Sequence, residues 1–114
     1  MSLGVEHQEI PNAAIIRLRG KLLLGEQCAP LDALVPELLK KGHRNLIFDL
    51  SGVTHIDSTG IGTFIDTYGR LGRVGGQIRL AAATGQVRDS FRVTRLDTVL
   101  PFYSTVESAC ESLR

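Results

Sequence analysis

The stretch that decides the fold is FDLSGVTHIDSTGIGTF, residues 48–64. It begins in the apolar run Leu46-Ile47-Phe48, which is typical of a strand covered on both faces. It ends in a segment whose apolar residues have helical spacing, and residues 57–60 between the two are an acid, two hydroxyls and a glycine. We predict a buried strand at Asn45–Leu50 that passes through a loop into this helix, which is the first half of a βαβ unit.

The segments that follow complete this unit. A helix is predicted from about Ser58 to Val74, where Gly75-Gly76 ends it, and a strand is predicted at Gln77–Ala82. One side of the helix carries apolar residues, namely Ile61, Phe64, Ile65, Tyr68 and Leu71. Strands joined by a helix are expected to run parallel with a right-handed crossover. The loop at Ser58 is then at the carboxyl edge of the sheet, where α/β proteins tend to meet ligands and partners.

The rest of the chain continues the alternation of strands and helices. The apolar pattern predicts an amphipathic strand at Ala14–Leu18 and a helix that starts near Pro30 and ends before Gly42. A short helix around Gln86–Val93 and a short apolar strand segment at Val99–Phe102 follow. A last helix is predicted to start with the capping box Ser104-Thr105-Val106-Glu107. The order, four strands alternating with four helices, predicts an α/β fold, and residues 1–114 are interpreted as one domain with a core at about 5–113.

Composition and charge limit the classes of function. The chain has 114 residues, 43% of them hydrophobic, and a net charge of +1, which gives no reason to expect nucleic acid or an anionic membrane as partner. No apolar run approaches the ~20 residues that span a bilayer, and the start of the chain has no signal-peptide pattern. Cys28 and Cys110 have no CxxC spacing. We therefore expect reduced thiols and a cytoplasmic protein.

The polar loop has two interpretations on local chemistry alone. Ser58 or Asp57 could simply cap the helix that follows, a role that contributes about 1 kcal/mol. Alternatively, Ser58 could be a modification site, because a helix start presents free N–H groups and a partial positive charge that favour phosphate. Phosphorylation would add about −1.5 to −2 charges beside Asp57 and would oppose a partner packed on the same loop.

Catalytic and ligand-binding interpretations have less support. A nucleophile elbow needs glycine at the position of Ile56. His55 and Asp57 are chain neighbours of Ser58, and side chains this close in sequence rarely converge on one point as a triad requires. The histidines, His7, His43 and His55, lack the spacing of metal ligands. Gly60-Ile61-Gly62 has Ile65 at the third glycine of a dinucleotide fingerprint. These two glycines are instead expected to let the helix start pack closely on a neighbour, and no cofactor or metal is predicted.

The segment NLIFDLSGVTHIDSTGIGTFIDTYGRLGRVGGQIRLAAATGQVRDSF, residues 45–91, resembles the STAS domain of bacterial anti-sigma factor antagonists. In that family a strand ending in Asp-Leu-Ser leads to an Asp-Ser-[Ser/Thr]-Gly-[Leu/Ile]-Gly loop, a helix, a Gly-Gly stop and another strand. The resemblance extends more loosely from IIRLRGKL to the closing helix. It implies a mixed, largely parallel sheet with about four helices packed on it.

The resemblance also implies a function without catalysis. Such domains bind an anti-sigma factor that doubles as a histidine-kinase-like serine kinase, and this releases the sigma factor for transcription. The kinase target in the motif corresponds to Ser58, and the residues around it, Asp57, Thr59, Gly60 and Ile61, correspond to the partner-binding loop. Phosphorylation ends the binding, and a serine phosphatase restores it.

One position departs from the family pattern. Many members read Gly-Glu-Leu-Asp after the first strand, an acidic edge that contacts the kinase, whereas this chain has Gly20-Lys21-Leu22-Leu23 and only Glu26 nearby. Lys21 is therefore a partner-binding candidate of opposite charge. Three alternatives stay open: a STAS scaffold or complex subunit that is not switched at Ser58, phosphorylation at Thr59, and a small-ligand binder or hydrolase that uses the Ser58 loop. The sequence also leaves a homodimer open.

Overall fold

The part of the chain that the computed structural model describes, residues 3–23, 29–111 and 113, contains five strands and four α-helices, and strands and helices alternate after the first two strands. The strands are β1 (Gly4–Ile10), β2 (Ala13–Leu22), β3 (Asn45–Ile56), β4 (Gln77–Ala81) and β5 (Phe102–Tyr103). The helices are α1 (Ala29–Lys40), α2 (Ser58–Arg73), α3 (Gly85–Val93) and α4 (Val106–Glu111), and a 3-10 turn spans Leu96–Thr98.

The strands form one mixed sheet in the order β1-β2-β3-β4-β5. β1 pairs antiparallel with β2, and each later pair is parallel. The predicted α/β class and the predicted parallel pairing of the strands on either side of α2 are both confirmed. Consecutive strands are neighbours throughout, so each parallel connection carries a helix back across the sheet.

Both faces of the sheet are covered, but unequally. The larger hydrophobic core lies on one face and contains buried residues of α1, α2 and α3. Four phenylalanines connect its elements, with ring centroids 5.2 Å apart for Phe48 and Phe64, 5.9 Å for Phe64 and Phe91, and 5.0 Å for Phe91 and Phe102. The smaller cluster on the other face packs Ala109 of α4 against Ile15 and Ile47. Because β3 lies between the two cores, its apolar run is buried on both sides, as predicted.

The strand predicted at Ala14–Leu18 is longer and less amphipathic than expected. β2 runs from Ala13 to Leu22, and its first four residues are all buried. The expected alternation was wrong in this half of the strand because α4 covers the face on which Ile15 lies. Only from Arg17 onward do polar side chains on that face reach solvent.

β1 was missed by the sequence analysis. Its central residues are polar and exposed, so no buried stripe marks it, and its pairing with β2 holds it in place instead. A second attachment is at Glu9, whose carboxylate lies 2.7 Å from Nε2 of His43 and accepts a hydrogen bond from Nζ of Lys41 at 3.2 Å. Both contacts lower the pKa of Glu9 below its ordinary value, and the hydrogen bond with His43 has the larger effect.

The helix ends follow the glycine signals. Gly76 N–H donates to the Leu71 carbonyl at 2.7 Å and Gly75, with φ of +75°, follows the C-cap Val74, so α2 ends in a Schellman motif as Gly75-Gly76 predicted. α1 ends in the same way at Gly42, whose φ is +97°. The predicted apolar side of α2 is only partly buried: Phe64 and Leu71 lie in the core, whereas Ile65 and Tyr68 are exposed.

Two predicted boundaries near the end of the chain were wrong. The strand expected at Val99–Phe102 is displaced to Phe102–Tyr103, because residues 96–98 form a 3-10 turn and Leu100 N–H donates to the carbonyl of Leu96 at 2.8 Å. The capping box is shifted by one residue. Thr105 Oγ1 accepts from Ser108 N–H at 3.0 Å and Ser108 Oγ accepts from Thr105 N–H at 3.3 Å, so Ser104 and Glu107 do not form it.

Candidate functional site

The Ser58 loop lies at the end of a two-stranded ribbon. β4 pairs with β3 only as far as Asp49, whereas β2 stays paired with β3 up to Ile56. The sequence analysis ended this strand near Leu50 and expected a loop from there to the helix, which was wrong. The strand instead continues through residues 51–56, with register shifts against β2, and carries Asp57 and Ser58 beyond the rest of the sheet.

Asp57 is the cap of α2. Its Oδ1 accepts hydrogen bonds from the backbone N–H groups of Thr59 at 2.9 Å and Gly60 at 3.1 Å. Ser58 is thus the first helical residue rather than the cap, and its side chain is exposed. Its hydroxyl makes no hydrogen bond to the described residues, so the cap and the hydroxyl have separate roles. Thr59 beside it is half-buried.

Asp57→Ala is expected to lower the free energy of unfolding by about 1 kcal/mol, because two N–H groups of the first turn lose their acceptor. Asp57→Asn keeps an acceptor oxygen and is expected to retain most of the stability. Denaturant unfolding measures both. Asp89→Ala removes an exposed aspartate within α3 and is the control, expected within about 0.5 kcal/mol of the parent. Equal losses at both aspartates would contradict the capping role.

Gly60 lets the start of α2 lie directly on the end of β2. A Cβ atom at this residue would meet the Leu22 carbonyl oxygen at 2.5 Å and Ile56 Cγ1 at 2.7 Å. The predicted close packing is therefore confirmed for Gly60. It was wrong for Gly62, where a Cβ atom would meet nothing within 4 Å, because that residue faces away from the sheet.

A groove with a volume of about 560 Å³ lies between the first turns of α2 and the helix α3. Ser58 is on its wall together with half-buried Ile61 and Val93, whose residue surface is 82% exposed. Ile61 and Val93 thus give the groove an apolar part on the same surface as the exposed Ser58 hydroxyl. The remaining lining residues are Ile56, Asp57, Gly85, Gln86, Asp89, Ser90 and Thr94.

Lys21 is at the same end of the molecule. It is exposed on β2 and lies opposite His55 in the parallel ladder, one step before Leu22 pairs with Ile56. The fold thus brings the predicted Lys21 to the ribbon that carries the predicted residues 57–61. Glu26 and Cys28 lie outside the described residues.

In the described part of the chain, no base is hydrogen-bonded to the Ser58 hydroxyl. Nδ1 of His55 instead lies 3.0 Å from Oγ1 of Thr54, on the exposed side of the ribbon. Among residues 3–23, 29–111 and 113, no group of three or more histidine, cysteine or acidic side chains is arranged to hold a metal ion. Within the same residues, no helix has both the length and the apolar character needed to cross a bilayer.

Comparison with known proteins places this geometry in a family. A family model described as the STAS domain matches residues 5–109. The chain belongs to the STAS domain family. A Thermotoga neapolitana protein that carries the name anti-sigma factor antagonist is 30% identical to this STAS domain over 78 residues, which are 68% of this chain and 69% of that protein. The resemblance predicted from residues 45–91 is confirmed.

Solved structures share the fold of this STAS domain. A Thermotoga maritima protein described as an anti-sigma factor antagonist superposes with a TM-score of 0.89 at 23% identity, over 96% of this chain and 94% of that one. The Bacillus cell fate determinant SpoIIAA, solved in its phosphorylated form, superposes with a TM-score of 0.77 at 20% identity, over 97% of this chain and 100% of that one. The predicted mixed sheet with four helices is that of the family.

Two residues at the site of this STAS domain were missed from the sequence. Val93 was placed at the end of a short helix, and nothing in its neighbourhood indicated that it would stand on the groove rather than in the core. Gln86 is 30 residues from Ile56, yet its side chain contacts the backbone of that residue. Only an observed packing of α3 against the ribbon could reveal either position.

Proposed function

We propose that this STAS domain is an anti-sigma factor antagonist that binds a histidine-kinase-like anti-sigma factor and is released when Ser58 is phosphorylated. The observation that carries the proposal is the exposed Ser58 hydroxyl at the first position of α2, to which none of the described residues hydrogen-bonds, beside an Asp57 cap and an open groove. The names of the relatives support the general role. A neighbour of the same fold has been solved in a phosphorylated form, which supports the switch.

The start of α2 can carry a phosphate without refolding. Asp57 already accepts from the N–H groups of Thr59 and Gly60, so the helix start is capped whether or not Ser58 is modified. The helix dipole favours negative charge at this end. A phosphate on Ser58 would therefore extend into solvent from an unchanged backbone and add about −1.5 to −2 charges to the groove wall.

The same charge opposes a partner. A protein that fills the groove would pack on Ile61 and Val93 and remove water from the Ser58 side chain. An alcohol loses little on such burial when it is hydrogen-bonded, whereas a dianion next to the Asp57 carboxylate must be desolvated and is repelled by that like charge. Phosphorylation is thus expected to end the complex by electrostatics at the interface, while the fold is retained.

This function needs no catalysis by the domain itself. The anti-sigma factor supplies the kinase, a serine phosphatase resets the switch, and the domain supplies the acceptor hydroxyl and the docking surface. These components are cytoplasmic in the proposal. His55, three residues before Ser58, has its Nδ1 hydrogen-bonded to Thr54 rather than to Ser58, which agrees with a substrate role for this serine.

The test is incubation of the purified chain with ATP and histidine-kinase-like anti-sigma factors from the source genome, followed by intact mass and peptide mapping. We expect a gain of one phosphate that maps to Ser58 and is absent in Ser58→Ala. Thr59→Ala is the matched control, because it removes the adjacent hydroxyl and should leave the gain unchanged. A phosphate that maps to Thr59, or no gain with any of these kinases, would contradict the proposal.

A second candidate is a STAS scaffold that is not switched at Ser58. The positive charge of Lys21 at the docking end favours it, since this side chain presents a cation where family members present acids. In that case the chain would bind its partner stably in the presence of ATP, and no phosphate would be gained. Reversal of the Lys21 charge in Lys21→Glu would then weaken binding more than Ser58→Glu would.

A further inference from the structure

Among the described residues, the end of β3, residues 51–56, has a neighbouring strand on one side only. Leu22 of β2 accepts a hydrogen bond from Asp57 N–H at 3.2 Å, so this part of β3 is paired on the β2 side. In a parallel ladder, alternate residues direct their N–H and C=O groups to opposite neighbours, so those of Ile56 point to the other side. The neighbour there would be β4, but β4 ends at Ala81 and pairs with β3 only up to Asp49.

The side chain of Gln86 occupies the place of the missing strand residue. Its Oε1 accepts from Ile56 N–H at 2.9 Å, and its Nε2 donates to the Ile56 carbonyl at 3.0 Å. A carboxamide has the same donor and acceptor as a peptide group, so this pair reproduces what a backbone partner would make. Nε2 also donates to Ser90 Oγ at 2.7 Å, one turn along α3, which fixes the orientation of the amide.

We propose that Gln86 is the positioning residue of the Ser58 loop. Its carboxamide acts as a one-residue extension of β4 that holds the backbone of Ile56 and thereby fixes the positions of Asp57 and Ser58. The functional part of this inference rests on the proposed phosphorylation of Ser58. Gln86 touches neither the phosphate acceptor nor a reacting atom. It acts through Ile56, which is two residues before Ser58 and whose side chain packs on Gly60 in the first turn of α2.

Gln86 also connects the two walls of the groove. Ile56 belongs to the wall that carries Ser58, and Gln86 and Ser90 belong to the α3 wall that carries Val93. The two hydrogen bonds to Ile56 hold the Ser58 wall and the α3 wall at a set separation. The distance between Ile61 and Val93, which a partner would contact together, therefore depends on Gln86. Loss of the carboxamide is expected to change both the position of the Ser58 loop and the width of the groove.

The first measurement needs neither kinase nor partner. Hydrogen exchange by NMR is expected to show an Ile56 amide protected about tenfold less in Gln86→Ala than in the parent, because the acceptor of that N–H is gone. Gln8→Ala, which removes an exposed glutamine on β1, is the control and should leave the Ile56 amide unchanged. Equal protection of Ile56 in the parent and in Gln86→Ala would overturn the inference.

Gln86→Glu separates positioning from a general loss of structure. An ionised carboxylate accepts from Ile56 N–H but repels the Ile56 carbonyl, whereas a protonated carboxyl can accept and donate as the amide does. Carboxylates of Asp57 and Asp89 also line the groove and favour the protonated form, and His55 is the adjacent titratable group on the ribbon. In Gln86→Glu, protection of the Ile56 amide against hydrogen exchange, measured relative to the parent at the same pH, is expected to recover as the pH falls from 7 to about 5. Gln86→Ala should show no such recovery.

The second measurement is the rate of Ser58 phosphorylation. We expect kcat/KM to fall about tenfold in Gln86→Ala, as for loss of two hydrogen bonds that orient the loop, and to stay at the parent value in Gln8→Ala. Suppose that the parent gains phosphate and that Gln86→Ala is phosphorylated at the same rate, although its Ile56 amide exchanges faster. Gln86 then does not position the acceptor hydroxyl, and this inference is wrong while the proposed function stands. If the parent gains no phosphate, the proposed function fails, and Ile56 exchange still decides whether Gln86 replaces the missing strand.

Discussion

Ser58→Glu is expected to bind the anti-sigma factor about 100-fold more weakly than the parent, because an unpaired charge buried at an interface costs about 3 kcal/mol. The new carboxylate would stand on the groove wall beside Asp57, where a docked protein removes its water. Ser58→Ala, in contrast, leaves the surface neutral and is expected within about threefold of the parent affinity. Isothermal titration of the purified pair measures both dissociation constants.

The control for this experiment places the same charge on another serine. Ser104 is exposed two residues before α4 and does not line the groove. Ser104→Glu should therefore bind like the parent, which shows that an added negative charge elsewhere has no effect on docking. If Ser58→Glu kept the parent affinity, or if Ser58→Ala lost it by the same factor, electrostatic release at Ser58 would be wrong.

Gly60→Ala is expected to destabilise the domain by about 3 kcal/mol, near the upper end of the effects of overpacking. The new methyl group would meet the Leu22 carbonyl oxygen at 2.5 Å and Leu22 Cβ at 2.9 Å. Leu22 cannot withdraw easily, because its carbonyl accepts from Asp57 N–H and its residue pairs with Ile56 in the ladder. Thermal unfolding is expected at a temperature more than about 10 °C lower than in the parent.

Gly62→Ala is the matched control two residues away on the same helix. Its Cβ atom would meet nothing within 4 Å, and alanine is favoured over glycine within a helix by about 0.5–1 kcal/mol. This variant is therefore expected to be slightly more stable than the parent. Equal melting temperatures for the two variants would show that the contact between the start of α2 and Leu22 is looser than 2.5 Å.

Apart from Lys21, which the family resemblance indicated, the candidate site could be predicted from the sequence only as a set of consecutive residues. The motif at residues 57–61 indicated a helix start after a strand, since apolar runs and helical spacing are local signals. Which residue caps the helix was not a local signal, because Asp57 and Ser58 are both common caps. The backbone geometry decided for Asp57, and this left the Ser58 hydroxyl exposed.

Contacts between distant segments were the part that could not be predicted. The burial of Ile15 depends on α4, which covers that face from about 90 residues further along the chain. β1 has no apolar stripe of its own and is a strand only because β2 offers it a free edge. The extension of β3 beyond Leu50 likewise depends on its partner β2, since Gly52 disfavours a strand at this point although Val53 and Thr54 favour one.

The sequence by itself determined the class of fold, the parallel pairing around α2, the helix ends at glycine and the family, because each of these follows from periodicity or from a motif within one segment. Only the tertiary structure decided that Gln86 pairs with Ile56, that Gly60 lies on Leu22 and that Val93 shares a groove with Ser58. The physical reason is that hydrogen bonds and close contacts of this kind depend on distances in space between residues about 30 or more apart in sequence, on which no local propensity acts.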